Sequence, residues 1–323
     1  MNLYWPMYKN LESELLELSN YIHFSDDQES VYSPHISDLL IRTASEIEAI
    51  AKELYQRTGG NMNPDDGNGN TRTLYFDSDC IQHLDLQWKI TKKAVNVVSP
   101  VFYFIKPENL VFLPLKNCNK QGSGRWKKAY QAVKHDRVKE MQAGNIGNLI
   151  RAMAALYLLN IYYRDESFEG GTIAKGEPFD ARLGSEVFAI SVAHAEKCSF
   201  KDEMSDDGIA EDVKKELDSC AYIQKYTEEA FSTIHRETKD MIESSGRATE
   251  VIMRSPVVAE YLCAHPDYKF RDIFQLADDV GDKNLIVEAF NIRHFKVCLQ
   301  EAKIEIVLNK NHQIYPVLGK EEI

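Results

Sequence analysis

Apolar residues in the first half of the chain recur with the period of a helix. Within residues 36–55, Ile36, Leu39, Leu40, Thr43, Ile47, Ile50, Ala51 and Leu54 follow the three- and four-residue steps of a single helical face. Ser33-Pro34 supplies an N-cap and a first-turn proline ahead of them, and Gly59-Gly60 a stop. The same reading predicts a helix over 7–21 and another over 79–98, ended by Ser99-Pro100. Between them, residues 56–73 are a Gly/Asn/Asp-rich stretch expected to be a long exposed loop. Residues 101–105 read as a short strand or a buried connector. A loop over 116–124 then leads to a helix from Arg125. The next helix starts at Asn145, a good cap. It is apolar around most of its circumference through Ile161, as suits the central helix of a bundle.

The pattern changes after Tyr163. Residues 164–184 are polar and carry Gly170-Gly171 and Pro178, which places a domain boundary there. Beyond it, 186–192 alternates like a strand, 207–245 reads as one or two charged amphipathic helices, and 248–264 as another. Residues 302–308 and 312–317, joined across Asn309-Lys310-Asn311, look like a terminal hairpin. The expected fold is mainly α: a helical bundle over 1–165, followed by a smaller α+β domain over 166–323.

Composition narrows the class. With 323 residues, 44% hydrophobic and 27% charged, the chain is globular rather than fibrous or disordered. A net charge of −12 argues against coating nucleic acid through the overall field. Six cysteines without a C-x-x-C pair suit neither a zinc module nor a secreted disulfide frame. The opening Met1-Asn2-Leu3-Tyr4-Trp5-Pro6 turns acidic without a basic or uninterrupted apolar leader. The most apolar run, 152–163, falls short of the roughly twenty residues that span a bilayer. These features together predict a cytoplasmic protein in a reducing compartment, with no membrane partner.

Charge distribution is more informative than total charge. Residues 116–139 hold Lys116, Lys120, Arg125, Lys127, Lys128, Lys134, Arg137 and Lys139 against Asp136 alone, a local charge of +7; residues 1–115 and 140–323 carry −7 and −12. Such a window is a candidate phosphate-binding face, because Lys and Arg release counterions on a polyanion. Lys120, Arg125, Lys127, Lys128 and Lys139 are its expected RNA contacts. Trp126, Ala129, Tyr130 and Val133 share the helix face that packs inward, leaving His135 outside. Between Lys134 and Arg137, a neutral imidazole is favoured and can accept a proton. The same cations stabilise charge building on a phosphate. Arg42 and Glu46, spaced i,i+4, border the apolar stripe of the 36–55 helix together with Glu53. They form a structural ion pair, or Glu46 orients the cation or histidine of a neighbouring helix.

Three segments carry a resemblance to a known family. Ile41-Arg42-Thr43-Ala44-Ser45-Glu46-Ile47-Glu48-Ala49-Ile50-Ala51-Lys52-Glu53-Leu54, Trp126-x3-Tyr130-x3-Lys134-His135-x-Arg137 and the 145–163 apolar helix resemble bacterial HEPN-like proteins. Those are helical bundles of toxin–antitoxin, abortive-infection and other antiviral systems. The resemblance covers roughly residues 5–165. It implies a metal-independent endoribonuclease whose paired protomers bring an Arg and a His to one cleft. There the 2′-hydroxyl attacks the adjacent phosphate and leaves a cyclic phosphate. The usual signature places the Arg a few residues ahead of the His, and no such spacing occurs here; His135-x-Arg137 runs in reverse. The carry-over is therefore to His135 as general acid/base and Arg137 as phosphate ligand, with Lys134 as an added cation and Glu46 orienting them. Several members are inactive scaffolds or binding modules, so the alternative is an inactive module that binds RNA or a nucleotide, or acts as a scaffold in a larger complex.

Other site classes are excluded by motif. The chain has no G-x-x-x-x-G-K-[ST] loop, no G-x-S-x-G and no H-E-x-x-H, and its nine histidines form no local pair at metal-ligand spacing. Arg293-His294-x-Lys296 repeats a basic His motif, but Phe290 and Phe295 beside it predict a core-facing segment. The expected partners are RNA, a second copy of the chain or a larger oligomer, and a protein bound by the C-terminal domain. No cofactor and no metal are expected.

Overall fold

The computed structural model describes residues 3–194, 211–282, 284–290 and 292–310. Among the described residues the chain is mainly α, with short strands in three small sheets. Its first long helices are α1 (Tyr4–Leu18) and α2 (Pro34–Arg57). Ser33 caps α2 by accepting from the Ile36 N–H, and the periodic positions from Ile36 to Leu54 are all buried. The predicted 79–98 helix is shorter than its pattern. A π-helical turn, Phe76–Ile81, runs into α3 (Gln82–Trp88), which ends on the left-handed Lys89 (φ 51°). The rest of that span holds a 3₁₀ turn, Ile90–Lys92, and β2 (Val95–Val97).

Strand β2 pairs antiparallel with β4 (Val111–Phe112) and with β6 (Phe188–Ile190), setting Val95 opposite both Phe112 and Ile190. A two-residue parallel pair joins β1 (Phe24–Ser25) to β3 (Phe102–Tyr103), so only the middle of the 101–105 segment is a strand. The short α4 (Pro107–Leu110) leads into β4. Further on come α5 (Arg125–His135), α6 (Arg137–Glu140) and α7 (Ile146–Arg164). Helix α7 is the centre of the bundle: sixteen of its nineteen residues are buried, and α1, α2 and α5 pack around it. Asn145 caps it, as its sequence predicts, through the Asn148 N–H at 3.0 Å. Two of its buried tyrosines find partners inside the core, Tyr157 Oη donating to Arg182 O (3.0 Å) and Tyr162 Oη to Asn309 O (2.9 Å).

The second half departs further from its pattern. Strands β5 (Phe168–Thr172) and β7 (Val192–His194) and helix α8 (Glu211–Ser219) precede β8 (Tyr222–Tyr226), a strand inside the stretch read as helical. Helices α9 (Glu228–Met253), α10 (Pro256–Ala264), α11 (Ile273–Val280), α12 (Asn284–Ala289) and α13 (Ile292–Glu301) follow, then β9 (Lys303–Leu308). The strand order of the third sheet is β5-β9-β8-β7, with β7 and β8 parallel. The second arm of the expected hairpin, 312–317, lies outside the described residues.

The chain divides into two compact units: Met1–Phe168 with Phe179–Gln224 and Ile306–Ile314, and Glu169–Pro178 with Lys225–Glu305 and Tyr315–Ile323. The single cut read at 165/166 lies beside the first crossing, but residues 179–224 rejoin the first unit. Strand β6 explains that return: alternation in 186–192 is satisfied by pairing with β2. The second unit has its own core of Ala248, Ile252, Val258, Leu276, Ala277, Leu285 and Ala289.

Candidate nucleic-acid interface

Helix α5 organises the basic segment. Gly124 starts it at φ +97°, where a Cβ would also stand 2.7 Å from Cys118 Sγ. Trp126, Ala129, Tyr130 and Val133 are buried, as their spacing predicts, and Trp126 Nε1 donates to Pro114 O at 2.8 Å. Lys128 and His135, seven residues apart and hence on one outward face, are exposed. His135 is the last residue of α5. Asp136 breaks the helix and caps α6 by accepting from the Lys139 N–H, leaving Arg137 exposed on the first turn of α6.

The eight cations of the segment have different fates. Lys127 is buried, and its ammonium is paired with the buried Asp77 carboxylate of the π turn. It is therefore not an RNA contact but part of the frame. Burial pushes the Asp77 carboxyl up, yet Lys127 and the Ser78 N–H outweigh this and hold it below its ordinary value. Arg125 reaches Glu29 (2.5 Å), which also binds Arg151 of α7 (2.6 Å). Lys139 pairs with Asp136 at 3.3 Å. Lys134 donates to Tyr130 Oη at 3.0 Å. Lys116, Lys120, Lys128, Lys134 and Arg137 are exposed and form no ion pair among the described residues.

Glu46 does not join this group. Tyr4 of α1 has its phenol raised by burial first, and then by Glu53, Tyr163 and Glu46, which places Glu46 toward α1. Glu48 is the residue whose charge reaches Lys134, after the larger influence of Tyr130. Two steps along a helix turn a side chain to nearly the opposite side, so α2 cannot offer Glu46 and Glu48 to the same neighbour. Arg42 bonds Glu14 of α1 and Asp38 one turn back, rather than Glu46. Among the described residues, no hydrogen bond or ion pair joins Glu46, His135 and Arg137.

A cleft opens on each flank of α5. One, of about 500 Å³, is lined by Glu48 and Lys52 of α2, Asp77 and Cys80 of the π turn, and Gln121 and Gln131. Burial pushes the Cys80 thiol up to about 12, so it stays protonated at neutral pH. The other, of about 470 Å³, combines Lys116, Arg125 and Arg151 with Glu108 and the apolar Val111 and Leu113. Arg151 lies 4.6 Å over the Phe112 ring. Gly147 makes room for Glu29, since a Cβ there would stand 2.4 Å from Glu29 Cγ. Glu29, Asp77 and Arg151 went unread in the sequence. For Arg151 the signal existed: it is the one charge inside the apolar run 146–161. The Arg293-His294-x-Lys296 motif is also corrected, because His294 and Lys296 are exposed rather than core-facing.

Comparison with known protein families, with curated proteins and with solved structures found no match. Among the described residues, no helix is long and apolar enough to cross a membrane.

Proposed function

We propose that the chain binds RNA through the cationic face of α5 and α6 and the 116–124 loop before them. The observation that carries this reading is the set of five exposed cations that form no ion pair among the described residues, Lys116, Lys120, Lys128, Lys134 and Arg137, in a chain of net charge −12. Charges so placed gain little from the protein itself and much from releasing phosphate counterions. The cleft holding Lys116, Arg125 and Arg151 beside Val111 and Leu113 offers an apolar wall next to fixed positive charge, which suits a nucleotide. Anisotropy titration of labelled single-stranded RNA at several salt concentrations tests the reading. Affinity should fall steeply with salt, and Lys128→Glu with Arg137→Glu should weaken it and flatten the slope. Salt-independent binding, or equal affinity in the double variant, rejects it.

A second reading uses the same face. His135 stands on the outward side of α5 with Lys128, two residues before Arg137, so a phosphate held by these cations would lie beside an imidazole. With the HEPN-like resemblance, this supports a metal-independent endoribonuclease of a bacterial defence or toxin system, whose paired protomers would each contribute a His135 and an Arg137. His135 would take the 2′-hydroxyl proton as the 2′-oxygen attacks the phosphorus, and the departing 5′-oxygen would take up a proton from a protonated imidazole or water, leaving a 2′,3′-cyclic phosphate and a 5′-hydroxyl. Cleavage of total RNA in EDTA, abolished by His135→Ala while binding persists, separates this reading from binding alone. Intact RNA, or cleavage indifferent to that substitution, leaves only the binding module.

A further inference from the structure

In the second unit, three potential metal ligands from two helices converge. His294 and Cys298 lie i,i+4 on one face of α13, and Glu237 reaches them from α9. His294 Nε2 is 3.1 Å from Glu237 Oε2 and 3.7 Å from Cys298 Sγ, and all three donor atoms fall within 4.8 Å of one another. We propose that Glu237, His294 and Cys298 form a binding site for a zinc-class divalent cation.

Geometry and donor chemistry agree on that class. Bonds of zinc length at tetrahedral angles put N and O ligands about 3.4 Å apart and N and S ligands about 3.6 Å apart. The observed separations are close to both, so an ion fits between the donors with little movement. A thiolate–imidazole–carboxylate set is borderline-soft and prefers zinc to the hard cations magnesium and calcium. A His–Glu ion pair alone would explain two of the groups but not the thiol on the same side of the imidazole. The carboxylate is also held from behind: Arg236 lies 3.6 Å from Glu237 Oε1, while Oε2 faces the histidine.

Three protein ligands leave a fourth position for water, since no further His, Cys, Asp or Glu joins the group among the described residues. Cys298 also lines a cleft of about 230 Å³ with Thr227, Thr233, Glu301 and Lys303, which gives that side of the site access to solvent. Binding replaces the Cys298 S–H bond with a metal–sulfur bond and releases the proton to solvent, so affinity rises with pH.

Cobalt(II) titration of the full chain, with the thiols kept reduced by a phosphine, tests the site. One thiolate-to-cobalt charge-transfer absorption per chain is expected, displaced by zinc but not by magnesium. Cys298→Ser should abolish it, and His294→Ala or Glu237→Gln should weaken binding at least about tenfold. Cys263→Ser, which changes an exposed cysteine outside the group, should leave it intact. In the unmodified chain, zinc should slow alkylation of Cys298 relative to Cys263. Absence of the absorption, its persistence in Cys298→Ser, or equal alkylation of the two cysteines with zinc present overturns the proposal.

Discussion

Among the described residues of the first unit two lysines are buried, and their surroundings treat the charge in opposite ways. Lys127 on α5 enters the interior against Asp77 and holds that carboxyl below its ordinary value. Lys93, between the Ile90–Lys92 turn and β2, is fully enclosed, and its Nζ has no hydrogen-bond partner. The acid whose charge acts on it, Asp218, is engaged by Lys89 at 2.7 Å and Lys92 at 2.6 Å. Burial pushes the Lys93 ammonium down to about 7, although Asp218 pulls the other way. An amine inside this protein either faces a carboxylate or gives up its proton, because a lone ion in a low-dielectric interior loses more hydration than packing returns.

The largest way to break the contrast is to strip Lys127 of its charge. Lys127→Met leaves Asp77 buried and unpaired, and should lower unfolding free energy by about 3–5 kcal/mol. Asp77→Leu combined with Lys127→Met should recover most of that loss. Urea melts of the three chains check both, and a single-variant cost below about 1 kcal/mol would dissolve the distinction.

Lys93→Met should act in the reverse direction, stabilising the chain by about 1–4 kcal/mol below pH 7. The sign follows from linkage. The folded lysine releases its proton near 7 and the unfolded one near its ordinary 10.5, so within that window the unfolded state binds more protons. This contribution therefore raises stability with pH from about 7 toward 10, by at most about 1.4 kcal/mol per pH unit, and Lys93→Met should flatten it. Urea midpoints measured across that range decide the matter. A wild-type profile identical to the variant's would mean that Lys93 is solvated.

Surface cations should move binding more than folding. Lys128→Glu should change stability by no more than about 0.5 kcal/mol, while lowering the salt slope of RNA binding by roughly 0.7 or more. Smallest of all, Glu46→Gln should leave both stability and RNA affinity within about 0.5 kcal/mol of the parent, because Glu46 lies toward α1 and away from the basic face. A large loss of RNA affinity in Glu46→Gln would return it to the candidate site.

The helical frame was readable where period and caps agreed. Ser33 and Asn145 cap α2 and α7 where their sequences place them, and the face from Ile36 to Leu54 is the buried one. Reading failed where local pattern was ambiguous. The helical reading of 79–98 stopped short because 95–97 found a better use as the middle strand between β4 and β6. Strand β8 was lost among charged helices, since five residues of mixed polarity carry little periodic signal. In the second unit, His294 and Cys298 stand at i,i+4 in the sequence, but Glu237 joins them only through the packing of a helix far earlier in the chain.

The chain's own order of residues determined that α2, α5 and α7 become helices, which of their faces turn inward, and that the positive charge gathers between 116 and 139. These are properties of neighbours within a turn or two, where side-chain period and capping act directly. Tertiary structure alone decided that Lys127 is enclosed while Lys128 is not, that Asp77, fifty positions earlier, neutralises it, and that Glu237 meets a histidine and a cysteine from another helix. Charge and ligand chemistry depend on what stands within a few ångströms in space, and packing brings together groups that the linear order leaves far apart.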